Sequence, residues 1–198
     1  KYEREVTNIN LLASRRIDGL IISVSNETKK GTHLAELIDK GVPVVMFDRI
    51  CDEIDTPRVV TDDAGGAYDA TCHLAEQGYR RIAHVTMAPY LSVTKNRMKG
   101  YVNALKKHKI PIEKKWIVHC DFDFGNIKKA LHKLLKTTPK PNAILVSSER
   151  IAIDCFEVLK EMKLRIPADI AMVGFFDNPV CRFIDPSLTA VHQPTFDI

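Results

Sequence analysis

The residues best placed to meet a small molecule lie near the C-terminal end, at a corner that follows a short apolar strand. A proline-led turn at Ile166-Pro167 delivers this strand, which we expect to stop on Gly174. Aromatic and acidic side chains, Phe176 and Asp177, stand in the corner Gly174–Asn178 just beyond it. In open parallel sheets, ligands bind outside the carboxyl ends of the strands. The sequence therefore predicts that a ligand is met at this corner.

Signatures of catalysis are missing from the sequence. It contains no G-x-S-x-G, no phosphate-cradling G-x-x-x-x-G-K-[ST], no H-E-x-x-H and no G-x-G-x-x-G. The scattered serine, histidine and aspartate residues form no triad that the sequence reveals, and a triad assembled only in space is the remaining alternative. We expect a binding protein that uses no cofactor, rather than an enzyme.

The cysteines argue against a disulfide framework and against a structural metal site. There are five, an odd number, and they are far apart with no C-x-x-C pair. Free thiols are typical of a reducing cytosol, so we expect a cytoplasmic protein without a bound metal. Three of them have apolar neighbours and are predicted to be small core residues, namely Cys72, Cys120 and Cys155.

Composition indicates a soluble globular chain. Of its 198 residues, 45% are hydrophobic and 27% charged, and no apolar run approaches the roughly 20 residues that cross a bilayer. The net charge is +4, and the lysines gather at 106–109, 114–115 and 128–140. We interpret these groups as the solvated faces of two amphipathic helices and their connection, rather than as a nucleic-acid interface.

The elements that must position the corner alternate between strand and helix. Apolar residues recur at helical spacing in five segments, and Gly41 and Gly78 are expected to end two of these helices. Such a series predicts parallel sheets with right-handed crossovers. The predicted strands are 17–23, 42–47, 82–85, 116–120 and 143–146, followed by the one that ends at Gly174.

Several sequence blocks, taken in order, resemble the effector-binding domain of the lactose-repressor (LacI/GalR) family of bacterial transcription regulators. Each block is weak alone, but together they cover nearly the whole chain at the family's spacing. They are Arg16–Ser23 with Gly41–Val45, Asp62–Ala67, His73-Leu74 with Gly78–His84, Arg97–Tyr101, and Ile166–Phe175 with Asp185–Pro194.

This resemblance implies an α/β fold of two Rossmann-like parallel-sheet subdomains, the architecture of periplasmic binding proteins. Residues 1–60 and 192–198 would form the N-terminal subdomain and residues 61–191 the C-terminal one. The extended segments Arg58–Thr61 and Leu188–Pro194 would be strands that cross between them and make a hinge with a cleft. Compared with the family, we expect the domain to be truncated at both ends and to lack the family's helix-turn-helix.

The function implied is that of the ligand-sensing and dimerisation core of a transcriptional regulator. A small molecule, a sugar or related metabolite, would bind in the cleft and control the binding of operator DNA by a helix-turn-helix outside this chain, in a homodimer and without a membrane. The alternative is a periplasmic sugar-binding protein of a transporter. A single tryptophan and five unpaired cysteines favour the regulator.

The resemblance also assigns binding residues. Arg97 would donate to effector oxygens from the start of a helix, where position alone predicts an exposed helix arginine. Asp62 would accept from ligand hydroxyls, or else cap the next helix. Asp121 and Phe122 match a pair whose aromatic ring packs on the ligand, although Phe124 competes for that role and Phe122 can equally belong to the core.

Other positions keep two interpretations or depart from the family. Ser148, followed by Glu149, would line the cleft or cap the next helix. Many members have an aspartate where this chain has Phe176, so the acidic role would shift to Asp177 or be lost. Asp48-Arg49 would serve the cleft or pair with each other. Leu91 and Val93 are apolar where some members present polar groups, so the ligand need not be a sugar.

Overall fold

Strands and helices alternate along the chain in a computed structural model, which describes residues 1–175 and 185–198. They fall into two units. Unit 1 comprises residues 1–61, 90–93 and 194–198, and unit 2 comprises residues 62–89 and 94–193. Each unit is built on its own parallel sheet, so the fold class predicted from the sequence is confirmed.

Unit 1 has a three-stranded parallel sheet in the order β1-β2-β3. Its core contains Ile9, Leu34 and Met46. The Gly41 residue that follows α2 has φ +83°, a conformation that glycine adopts without strain. The elements are α1 (Tyr2–Ser14), β1 (Leu20–Ile22), α2 (Thr32–Asp39), β2 (Val44–Phe47) and β3 (Arg58–Val59).

Unit 2 has a five-stranded parallel sheet in the order β5-β4-β6-β7-β8. Both β4 and β6 are buried along their whole length, as expected for central strands covered on both faces. The elements are α3 (Asp63–Glu76), β4 (Ile82–Thr86), α4 (Ser92–Lys107, of which residues 94–107 belong to this unit), a 3-10 turn (Lys114–Trp116), β5 (Ile117–His119), α5 (Phe124–Leu135), β6 (Ala143–Val146), α6 (Glu149–Glu161), β7 (Ala171–Phe175) and β8 (Thr189–Val191).

Two strand ends differ from the prediction. The strand expected to stop on Gly174 continues through Phe175, because β8 pairs with it and aligns Val191 with Phe175. Trp116, predicted as the first residue of a strand, is instead the last residue of the 3-10 turn and is buried.

The extended segment after Pro57 forms β3, and its residues Arg58 and Val59 pair with β2 in the sheet of unit 1.

The predicted small core cysteines are confirmed, since Cys72, Cys120 and Cys155 are buried and free. Within residues 1–175 and 185–198, no helix combines the length and the hydropathy that crossing a membrane requires.

Candidate functional site at the carboxyl edge of the unit 2 sheet

The carboxyl ends of three neighbouring strands bring polar and aromatic groups to one edge of the unit 2 sheet. Thr86 is the last residue of β4, Ser147 directly follows β6, and Phe175 ends β7. The Ser147 amide donates to the Val85 carbonyl at 3.0 Å, which continues the pairing of β4 with β6 past the end of β6. This edge is where an open parallel sheet offers a binding site.

Arg97 extends from the second turn of α4 to this edge and is only 4% exposed. Its Nε donates to Asp63 Oδ1 at 2.7 Å, and its Nη2 lies 2.6 Å from the same oxygen. Its Nη1 donates to the Ser147 carbonyl. The guanidinium carbon lies 3.8 Å from the centre of the Phe175 ring, a cation–π contact.

These contacts overturn one interpretation of Arg97, that of an exposed helix arginine. A buried guanidinium needs a paired charge, and the buried carboxylate of Asp63 supplies it. Each terminal nitrogen also carries a second hydrogen that no residue in the described part of the chain accepts. Binding of effector oxygens by Arg97 stays a prediction.

The helix motif Arg97-x-x-Gly100-Tyr101 has a packing explanation. A Cβ atom at Gly100 would lie 2.1 Å from the Ala64 carbonyl oxygen, so α3 and α4 approach each other too closely for any other residue. Tyr101 is fully buried, and its hydroxyl donates to the Ile82 carbonyl at 2.7 Å. The motif therefore holds α4 against α3 and β4, which fixes where Arg97 leaves the helix.

Four buried hydroxyl groups at the same edge accept and donate no hydrogen bond within the described structure. Thr86, Thr94 and Ser147 are at most 1% exposed, and Ser148 is partly buried. Thr94 stands three residues before Arg97 on α4 and therefore shares its helix face. Buried polar atoms normally have partners. A site with several such atoms is suited to a ligand or to water molecules that would supply them.

Asp62 is an N-cap. Its side chain accepts from the Gly65 amide at 2.8 Å at the start of α3, while the residue itself is exposed. The helix-capping interpretation is therefore confirmed, and a contact with ligand hydroxyls stays a prediction. The buried neighbour, Asp63, contacts Arg97 instead.

Asp121 and Phe122 lie between β5 and α5. Asp121 Oδ2 accepts from the side-chain amide of Asn126 at 3.0 Å, so part of this exposed carboxylate is already used in the turn. The Phe122 ring is half-buried with the guanidinium of Arg150 5.4 Å from its centre, and Arg150 also donates to the Phe122 carbonyl at 2.9 Å. Phe122 is thus held beside α6, and it belongs neither to the core cluster around Leu34 in unit 1 nor to the one around Leu145 in unit 2.

Ser148 is the N-cap residue of α6, but its side chain makes no capping hydrogen bond. Its hydroxyl is buried without a partner among the described residues, which leaves it available for a ligand. The interpretation that Ser148 serves as a side-chain cap is wrong. Glu149 follows as the first residue of α6, where a negative charge favours the helix dipole.

The remaining predicted positions fall in three groups. Phe176 and Asp177 lie outside the described residues, so their roles stay predictions. Asp48 and Arg49 pair with each other at 2.9 Å in unit 1, and Arg49 also donates to the Val24 carbonyl, as the pairing interpretation requires. Leu91 and Val93 are buried.

Burial keeps two titratable groups of unit 2, Cys120 and His84, in their neutral forms near neutral pH. Burial raises the pKa of the Cys120 thiol to about 11, so it stays protonated near neutral pH. Burial also lowers the pKa of His84, in the middle of β4, to about 4, although its Nδ1–H group donates to the Leu145 carbonyl at 3.1 Å. In the described ranges, no three His, Cys, Asp or Glu side chains come together to hold a metal ion.

The site residues predicted from the sequence did not include Asp63, Thr86, Thr94 and Ser147. Thr86 ends an apolar strand and Ser147 directly follows one, so the position that indicated Ser148 also indicates these two residues. Thr94 was visible from its spacing to Arg97. Asp63 was not, because only the exact start of α3 decides which of two adjacent aspartates turns inward.

The chain is similar to known proteins in both sequence and structure. A family model for periplasmic-binding-protein-like domains matches residues 71–198. The ribose operon repressor of Haemophilus influenzae is 29% identical over 96% of this chain, which spans 57% of that protein.

Solved structures agree with the sequence comparison. A regulatory protein of the LacI family from Chloroflexus aggregans superposes with a TM-score of 0.82 at 28% identity, covering 95% of this chain and 67% of that one. A transcriptional regulator CelR in complex with cellobiose also gives 0.82 at 28% identity, covering 98% and 58%.

Proposed function

Because the chain belongs to the family of periplasmic-binding-protein-like domains, and its relatives are LacI-family repressors, we propose that it senses a small molecule for a transcriptional regulator. The observation that carries the proposal is the buried polar edge of unit 2. There Arg97 is oriented by Asp63 and Ser147, and four hydroxyl groups have no hydrogen-bond partner among residues 1–175 and 185–198.

The ligand we propose is a sugar or related metabolite. Hydroxyl groups both donate and accept, so they can satisfy the buried Thr86, Thr94 and Ser147 hydroxyls. The relatives point the same way, since one is named for the ribose operon and another was solved with cellobiose. Binding rather than catalysis is the proposed role of the edge, because its described part offers hydrogen-bonding groups and one oriented guanidinium.

The rest of the proposal concerns a longer protein. The chain spans 57% of the ribose repressor's length, and we propose that a DNA-reading domain outside residues 1–198 binds an operator as a homodimer in the cytoplasm. Ligand binding would then favour one state of the regulator over another and so change its operator affinity.

A thermal-shift screen of sugars and nucleosides, followed by calorimetry, tests the proposal. We expect a hit whose affinity falls about tenfold in Thr86→Val and in Ser148→Ala, since each removes one hydrogen bond worth about 1.4 kcal/mol. Thr7→Val on α1, an exposed residue of unit 1, is the matched control and should bind normally. Equal affinity in all three variants would contradict the proposed position of the ligand at this edge.

A further inference from the structure

Asp63 is the buried acidic residue of this edge, and the sequence motifs gave it no role. It is the first residue of α3, and the side chains of Asp63 and Arg97 are each 5% exposed. One of its oxygens lies within 2.7 Å of two guanidinium nitrogens, Nε and Nη2. Resting on the proposed function, we propose that Asp63 makes this site select neutral, hydroxyl-bearing ligands over carboxylates and phosphates.

Asp63 first determines the direction in which Arg97 faces. A guanidinium is a planar fork with five N–H groups. Asp63 occupies the edge formed by Nε and Nη2, the Ser147 carbonyl accepts from Nη1, and the Phe175 ring lies under one face. The plane is therefore fixed on three sides, and the hydrogens that the described residues leave for a ligand are the outer ones on Nη1 and Nη2.

Asp63 also offsets the charge of Arg97. An unpaired buried arginine attracts carboxylate and phosphate strongly, often through two parallel bonds. Here the positive charge already faces a carboxylate in a poorly solvated setting, where charges are weakly screened. An anionic ligand on the outer hydrogens would bring a second negative charge close to Asp63, whereas a hydroxyl oxygen accepts the same bonds without that repulsion.

The neighbouring groups suit the same class of ligand. Thr86, Thr94 and Ser147 offer hydroxyls that can both donate and accept, which matches the hydroxyls of a polyol. An ionised carboxylate has no hydrogen to donate, so it could use them only as donors.

The test removes the charge and keeps the shape. In Asp63→Asn an oxygen still faces Arg97, but the offsetting negative charge is gone. With inorganic phosphate as the probe, calorimetry should show affinity at least about tenfold higher than in the unaltered chain. Asp69→Asn, the same charge change at an exposed position of α3, should show no gain, and Asp63→Asn with Arg97→Gln should lose it.

A gain in Asp63→Asn no larger than in Asp69→Asn would overturn the proposal. So would phosphate binding by the unaltered chain that moves the NMR signal of the Arg97 Nε–H group, an observation that needs no variant. The proposed function fails separately. If no sugar or nucleoside binds while phosphate affinity still depends on Asp63, the charge effect of Asp63 is supported and the sensing role is contradicted.

Discussion

At the scale of single residues, the site depends on one buried ion pair. The sequence motif selected Arg97, but only the structure shows that its guanidinium is held by Asp63, Ser147 and Phe175. Arg97 therefore has two tasks, offering hydrogens to a ligand and neutralising a buried carboxylate. Replacing it should disturb both.

Arg97→Met should lower the free energy of unfolding by about 3–5 kcal/mol, because Asp63 loses its guanidinium partner. The double variant Arg97→Met with Asp63→Asn should be at least about 1 kcal/mol more stable than Arg97→Met alone, since the buried charge is then removed. Urea unfolding at neutral pH measures both. If the two substitutions prove strictly additive and both destabilise, the pair does not act as a unit.

His84 should make unfolding sensitive to mild acid. Burial lowers its pKa from the ordinary 6.5 to about 4, so the unfolded chain takes up a proton that the folded chain refuses. The stability that depends on neutral His84 is fully present above pH 6.5 and is lost as the pH falls towards 4, by up to about 3 kcal/mol.

The measurement for His84 is urea unfolding between pH 7.5 and 4.5. His84→Gln should lose less stability over this range than the unaltered chain, because glutamine does not titrate. His73→Gln, at an exposed position of α3, should keep the normal pH dependence. Parallel curves for all three proteins would show that His84 is not the group responsible.

At the scale of elements, the helices and strands were largely predictable because apolar spacing in the sequence reflects which face each one buries. The central strand Ala143–Val146 and the glycines after α2 and α3 are as predicted. Strand ends were not predictable where pairing with a distant strand extends them, as β8 does for Phe175. The inward turn of Asp63 rather than Asp62 likewise depends on where α3 begins.

The contact between α3 and α4 gives a prediction at this scale. Gly100→Ala should destabilise unit 2 by several kcal/mol, because the new Cβ would lie 2.1 Å from the Ala64 carbonyl oxygen and 2.8 Å from the Tyr68 amide nitrogen, and backbone must move. Thermal unfolding measures the loss.

Gly125→Ala is the control for this helix contact. Gly125 is exposed in the first turn of α5, where alanine favours helix and an added Cβ would meet the Asp123 side chain at 3.2 Å. It should change stability by less than about 1 kcal/mol. A Gly100→Ala variant as stable as Gly125→Ala would mean that the helices separate at little cost.

At the scale of the whole molecule, the proposed ligand site belongs to only one of the two units. Each carries its own parallel sheet and its own core. The groups proposed to hold the ligand, however, gather on unit 2, at the carboxyl edge of its sheet. The opposite edge has a depression of about 320 Å³ lined by Tyr79, Pro167 and Pro186, where we expect no effector to bind.

NMR titration of the isotope-labelled chain with the hit from the sugar and nucleoside screen tests the central claim most directly. We expect the largest shifts at the carboxyl edge, on Thr86, Arg97 and Ser148, and no shift of Tyr79 and Pro167 at the opposite edge. A ligand that shifts the opposite edge while leaving Thr86, Arg97 and Ser148 unchanged would contradict it.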